Sequence, residues 1–297
     1  MKYSYFPGCA MHATAVEYFK SMKFVNKAIG LEFIDIKDWN CCGATAGHTI
    51  SHELGLAMPA RNVALSQQQQ PGMPIIVSCA ACYSRLKYTA DEINNGDREK
   101  LSRLIEMPLG DKVEIVTLME AYSEPAAMEA IQAAIKKPLE GLKVACYYGC
   151  LYTRAPKVTW AENSEDPQLL DKVVSLAGVS TVDWSFKTEC CGAGRHVDLP
   201  KESKPLIYRI LKNARANGAE AIVTACPLCM MNLDMRQQDI NMVYGEDFNL
   251  PVYFFTELLA LAMGASFRKS GVTTHFYPAK KLLKNVLKKA SSKKEVV

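Results

Sequence analysis

Ten of the eleven cysteines in this 297-residue chain fall into two matched sets of five. The first set runs Pro-Gly-Cys9, Cys41-Cys42-Gly43 and Ser-Cys79-Ala-Ala-Cys82; the second runs Tyr-Gly-Cys150, Glu-Cys190-Cys191-Gly192 and Ala-Cys226-Pro-Leu-Cys229. The gaps hold 31 and 36 residues in the first set and 39 and 34 in the second. A chain built this way has two halves. Each half must bring a single cysteine, an adjacent pair and a C-x2-C to one place. Outside oxidising compartments such cysteines bind metal more often than they form disulfides. Five thiols exceed the four that close a structural zinc site and the four that hold an ordinary iron–sulfur cube. Neighbouring residues such as Cys41 and Cys42 point in different directions on an extended chain, which suits an object wider than one ion. Two closed zinc sites would leave the fifth cysteine of both halves without a role. Thiolates are soft ligands, suited to iron–sulfur clusters, zinc or copper(I).

The pattern between the cysteines repeats as well. Residues 2–6 read as a strand ended by Pro7-Gly8, residues 12–29 as a helix and 31–36 as a second strand. The Cys41-Cys42 loop follows, then a helix over 51–70, a short buried strand over 74–78, and a helix opened by Cys79 and Cys82. In the second half, 142–148 is a strand, 166–178 a helix and 179–184 a strand. The Cys190-Cys191 loop leads to a helix over 201–217, a strand over 221–224 and a helix opened by Cys226 and Cys229. Strands alternating with helices at this spacing imply βαβ units and parallel sheets, whose ligands gather beyond the carboxyl ends of the strands. The expected fold class is α/β, with two pseudo-twofold related domains, 1–140 and 141–297. Each is a small, mainly parallel sheet with flanking helices. A strand at 113–116 and two helices complete the first half.

Charge says less than its sum suggests. The net +4 is carried by the tail: residues 280–297 hold seven lysines and one glutamate, leaving the rest at about −2. The folded body therefore offers no basic face for nucleic acid. No run of 18 apolar residues exists, so no membrane span is expected. The first residues enter a strand with no signal pattern, and the expected location is cytoplasmic. The tail over 278–297 sets Leu282, Leu283, Val286 and Leu287 among its lysines and reads as a solubilising amphipathic helix. There is no C-x2-C-x2-C run, no G-x-G-x-x-G and no P-loop, so electrons must arrive from another protein.

The repeated pattern C-x(31–39)-C-C-x(34–36)-C-x2-C resembles the CCG-domain (cysteine-rich) family. Within it the chain resembles the B subunit of methanogen heterodisulfide reductase, over nearly its whole length. The resemblance implies two noncubane 4Fe-4S clusters. One would be held by Cys9, Cys41, Cys42, Cys79 and Cys82, the other by Cys150, Cys190, Cys191, Cys226 and Cys229. It implies reduction of the disulfide CoM-S-S-CoB to the thiols CoM-SH and CoB-SH in methanogenesis. The partners would be the iron–sulfur and flavin-bearing subunits of the same heterodisulfide reductase, with a hydrogenase or formate dehydrogenase behind them. Some CCG domains take zinc, so zinc in one half is the minority alternative. Related CCG subunits accompany glycolate, lactate, glycerol-3-phosphate and succinate or fumarate oxidoreductases. The rival reading is therefore a non-catalytic electron-transfer subunit of such an enzyme.

Other residues follow from position. His48 and the pair Arg195-His196 come just after the two CC-G turns. They are candidates for binding a substrate sulfonate or phosphate or for donating a proton, and equally for plain loop residues. Gly43, Gly192 and Gly194 would let backbone approach the clusters. Trp39 and Trp184 would pack the apolar shell. Cys146, mid-strand, reads as a buried free thiol, and the methionines as core fillers.

Overall fold

Each half builds one four-stranded, all-parallel sheet. The computed structural model describes residues 1–294 except 45, 160–162, 197 and 278; the last three residues of the basic tail therefore lie outside the described residues. The first sheet contains β1 (Lys2–Phe6), β2 (Glu32–Asp35), β3 (Ile75–Val77) and β4 (Ile115–Thr117), in the order β2-β1-β3-β4. The second contains β5 (Lys143–Tyr147), β6 (Ser180–Thr181), β7 (Ala221–Thr224) and β8 (Val252–Phe254), in the order β6-β5-β7-β8. Every pair is parallel, and the two orders are the same. Short runs such as Ile75–Val77 and Ala221–Thr224 are wholly buried, as strands covered on both faces by helices must be.

Helices return the chain between strands. The main ones are α1 (Val16–Ile29), α2 (His52–Gln69), α3 (Ala80–Asn95), α4 (Leu118–Ser123), α5 (Pro200–Ala216), α6 (Pro227–Met235), α7 (Phe255–Ala262) and α8 (Ala279–Lys294). Ser51 caps α2 by accepting the Leu54 amide at 3.0 Å, and Gly30 ends α1 in the left-handed region.

Three expected elements shift, each for a local reason. The helix expected from residue 12 is split: a single turn over Gly8–His12 carries Cys9, and α1 starts only at Val16, after Ala15 takes an extended φ of −138°. The strand expected over 179–184 pairs only at Ser180–Thr181. Beyond it the chain turns so that the Trp184 Nε1 donates to the Cys146 carbonyl at 3.1 Å. The strand expected at 113–116 forms at Ile115–Thr117.

The sheets do not stand apart. Their buried side chains form one continuous core. Tyr18 of α1 stacks on Phe254 of β8 with ring centroids 4.2 Å apart, and the Ser21 and Thr256 hydroxyls bond at 2.7 Å. Tyr122 of α4 meets Phe255 edge-on at 5.7 Å. Among the described residues no helix is long and apolar enough to cross a membrane. In α8, Leu283 and Val286 are buried while Lys280, Lys281 and Lys284 are exposed.

Candidate metal centre

Cysteines follow the carboxyl ends of three strands in each sheet: Cys9 after β1, Cys41 and Cys42 after β2, Cys79 and Cys82 after β3, then Cys150, Cys190 and Cys191, and Cys226 and Cys229 after β5, β6 and β7. All eleven cysteines are free thiols. Ten of them come together along one seam.

The contacts run in sequence along that seam. The Cys9 thiol pairs with Cys41, Cys41 with Cys42, and Cys42 Sγ lies 3.4 Å from Cys82 Sγ. The Cys82 thiol acts on Cys79, and so, most strongly, does the Cys226 thiol of the other half. Cys226 pairs with Cys229, whose Sγ lies 3.7 Å from Cys191 Sγ, and Cys150 pairs with Cys190. Cys79 and Cys226 are the N-caps of α3 and α6, so a repeated strand-to-helix turn places both sulfurs at the junction of the halves. Among the described residues no three His, Cys, Asp or Glu side chains surround a single-ion position. The thiols form a chain instead.

The same turns shape the electrostatics. The Cys226 and Cys82 thiols, with the Cys82 and Ala81 amides at the start of α3, hold Cys79 well below the usual thiol range against the effect of burial. Cys190 is lowered to about 6, first by the Cys150 thiol, then by the Gly192 amide, which reaches its sulfur at 3.3 Å, and by the nearby Arg154 charge. Thiolates are the ligand form for metals, so this donor set suits a cationic metal group spread along the seam. Cys42, Cys79, Cys82, Cys191, Cys226 and Cys229 are buried. Cys9 and Cys41 are exposed, and Cys150 and Cys190 are half-buried. Each half is therefore closed at the seam and open at its outer end. Beside the second set lies a cavity of about 300 Å³, lined by its five cysteines with Leu151, Leu206, Leu228 and Arg195 among others.

Two glycines make the approach possible. Gly8 and Gly149 precede the lone cysteines with φ of +65° and +66°; a Cβ on them would stand 3.0 Å from Cys82 Sγ and 2.9 Å from Cys229 Sγ. The repeated Gly-Cys dipeptide was the signal for them. Gly43 and Gly192 also take positive φ, but a Cβ there would meet Met58 of α2 and Ser203 of α5. Both glycines pack closely on those helices, and the Gly192 amide also reaches the Cys190 sulfur. Gly194 is exposed on the cavity wall. Two buried amides that sequence reasoning missed hold the CC loops. Asn62 accepts the Asn40 amide at 2.9 Å and donates to the Asn40 carbonyl; Asn232 donates to the Cys191 carbonyl at 2.7 Å.

The remaining candidates separate. Arg195 lines the cavity and pairs with Asp198 at 3.7 Å. His196 is buried against the Ser203 hydroxyl; burial, then the Arg236 charge, lowers its pKa. His48 is exposed on a short helix, Ala46–Ile50. Trp39 packs edge-on against Phe6 and stacks on His12. Cys146 is buried, its thiol raised by burial and by Asp171, apart from the ten others.

Fold and seam together define a duplicated cysteine-rich α/β protein, with ten convergent thiols on a pair of parallel sheets. The chain belongs to the CCG cysteine-rich domain family, whose model matches residues 3–87 and 144–234. It is 29% identical over 286 residues to the membrane anchor subunit of the 8-methylmenaquinol:fumarate reductase of Wolinella succinogenes, covering 95% of this chain and 99% of that protein. It is 29% identical over 279 residues to the B subunit of the ferredoxin/F(420)H(2)-dependent CoB-CoM heterodisulfide reductase of Methanosarcina acetivorans, covering 91% and 92%. A protein of Archaeoglobus profundus, described as like the heterodisulfide reductase B subunit, is 27% identical, covering 89% and 91%. The crystal structure of a hypothetical protein from Helicobacter pylori shares the fold, with a TM-score of 0.72 at 16% identity, over 93% of this chain and 52% of that one.

Proposed function

We propose that this chain is the disulfide-reducing iron–sulfur subunit of a heterodisulfide reductase, with one centre in each unit, 1–140 and 141–297. Cys9, Cys41, Cys42, Cys79 and Cys82 would hold one noncubane 4Fe-4S cluster, and Cys150, Cys190, Cys191, Cys226 and Cys229 the other. Such clusters, when bound, supply single electrons, and cleaving a disulfide takes two. The observation that carries the reading is the junction of the two thiol sets at Cys79 and Cys226. Their outer ends at Cys9, Cys41, Cys150 and Cys190 are accessible. One disulfide can then address both halves while the buried thiols keep water from the seam. Relatives named as B subunits of heterodisulfide reductase at 26–29% identity support it. The substrate in this reading is CoM-S-S-CoB, reduced to CoM-SH and CoB-SH. The donors are the iron–sulfur and flavin-bearing subunits of the same reductase, fed by a hydrogenase or formate dehydrogenase in the cytoplasm.

The test is disulfide reduction by the purified chain with reduced viologen, together with electron paramagnetic resonance before and after adding thiol. Turnover, and a signal that changes at saturating thiol, support a catalytic role. If the signal ignores thiol, the second reading is favoured, an electron-transfer subunit of a quinol-linked dicarboxylate oxidoreductase. That reading has its own support: the Wolinella succinogenes relative matches nearly end to end, and the lysine-rich α8 could meet an anionic surface.

A further inference from the structure

A second cavity, of about 700 Å³, lies between the halves, and no cysteine is among its described lining residues. Tyr83, Thr117 and Glu120 line it from the first half, and Tyr152, Thr153 and Lys172 from the second. The pseudo-equivalent place is filled. Strand β8 ends at Phe254, on which Tyr18 stacks, whereas its counterpart β4 ends at Thr117, on the cavity wall. Thr153 is 2% exposed, and its hydroxyl has no hydrogen-bond partner among the described residues. A buried hydroxyl without a partner carries a desolvation penalty that native proteins avoid. In a polar cavity of this size ordered water supplies the bond. Behind this wall lies the thiol seam. The Thr153 amide donates to the Cys150 carbonyl at 3.4 Å, and the Tyr83 amide to the Cys79 carbonyl at 2.8 Å. The Tyr152 hydroxyl donates to the carbonyl of Ala225, the neighbour of Cys226, at 3.2 Å. Two carboxylates are among the described lining residues. Asp166 is held by the buried Lys187 at 2.9 Å. Glu120 accepts the Thr117 amide through one oxygen.

We propose that this cavity delivers the protons of disulfide reduction, Glu120 taking them up from solvent and the Thr153 hydroxyl passing them through cavity water toward the seam. The proposal rests on the disulfide-reducing reading above. That reaction breaks one sulfur–sulfur bond and forms two sulfur–hydrogen bonds. It consumes two electrons, which come from the partner subunits, and two protons, which come from solvent. Six of the ten seam thiols are buried, so the protons need a route of their own. A carboxylate can take up and release a proton during the reaction. A threonine hydroxyl both donates and accepts, so it passes a proton on without keeping a charge. Glu120 and Thr153 touch no substrate and act through water.

The experiment compares the iron-loaded wild type with Glu120→Gln and Thr153→Val. Glutamine keeps an oxygen for the Thr117 amide, and valine keeps the shape of threonine. Two steps are read apart. Reduction by viologen without disulfide, followed by electron paramagnetic resonance, moves electrons only; disulfide turnover also consumes protons. Glu120→Gln should leave the first unchanged and lower the second about a hundredfold, the smaller end of what acid catalysis contributes. Formate, a weak acid small enough for the cavity, should restore turnover to Glu120→Gln. Thr153→Val should also turn over more slowly, with a larger solvent deuterium isotope effect than wild type and no rescue by formate. If Glu120→Gln fails to take up iron, Thr153→Val decides by its isotope effect. Unchanged turnover in both variants overturns the proton route and leaves the disulfide-reducing reading standing. So does a loss that slows both steps alike and ignores formate. Iron-loaded wild type without disulfide turnover overturns both.

Discussion

Cys79 and Cys226, 147 residues apart in the chain, lie close enough across the two halves that the Cys226 thiol is the foremost influence on Cys79, each at the N-cap of the helix that follows the third strand of its half. Duplication alone does not require this proximity. It needs the two sheets to pack with their carboxyl ends converging. The stack of Tyr18 on Phe254 and the Ser21–Thr256 bond hold them so. The meeting turns two five-thiol sets into one extended donor surface, on which the proposed function rests.

If both sets serve one reaction, neither works alone. Cys41→Ala and Cys190→Ala, in different halves, should each abolish disulfide reduction, and the double variant should be no worse than either single one, as for residues that act as a unit. Viologen-linked turnover measured beside iron content and folded fraction checks this. Substantial turnover from a well-folded single variant would mean that the halves are separate sites.

Gly8→Ala and Gly149→Ala test the approach of backbone to sulfur. Each forces a side chain into the left-handed region, costing roughly 1–2 kcal/mol, and sets its Cβ 3.0 or 2.9 Å from Cys82 or Cys229 Sγ. Each variant should lose about half of the bound iron, from its own half. Gly30→Ala carries the same backbone strain but meets nothing within 4 Å, and should keep its iron while losing a similar amount of stability in urea unfolding.

Much of this was legible in the sequence, and the reasons are physical. The cysteine spacing places the site because ligands collect where parallel strands end. Strands such as Ala221–Thr224 and helices such as His52–Gln69 fall where periodicity put them. Strand β8 and helix α7 were not legible. Val252–Phe254 runs straight into Phe255–Ala262 with no turn residues between them, and every residue of both is buried. Their apolar run has neither a period of 2 nor one of 3.6 to read. Asn62, Asn232 and the orphan hydroxyl of Thr153 were equally hidden. Their importance lies in contacts between residues far apart in the chain.

His275 gives the structure a pH dependence away from the thiols. Its Nε2 lies 2.9 Å from both Glu257 oxygens, and its Nδ1 lies 3.9 Å from Asp234, which accepts the Phe276 amide at 2.7 Å. Burial pulls the imidazole down, but Glu257, then Asp234 and Glu17, outweigh it and push the pKa from 6.5 to about 9. A raised pKa in the folded state means the stabilisation is complete below pH 6.5 and is lost as pH rises through about 9. The shift corresponds to roughly 3 kcal/mol. Urea unfolding should show wild type weakening between pH 6.5 and 9, and His275→Gln should flatten that slope. An unchanged slope would place the charge elsewhere.

The central claim, that the joined thiols hold two iron–sulfur centres, is tested most directly by iron, zinc and acid-labile sulfide analysis of the chain purified without oxygen. Two four-iron centres predict about eight iron, with a matching amount of sulfide, per chain. One or two zinc per chain with little iron and no sulfide would contradict it.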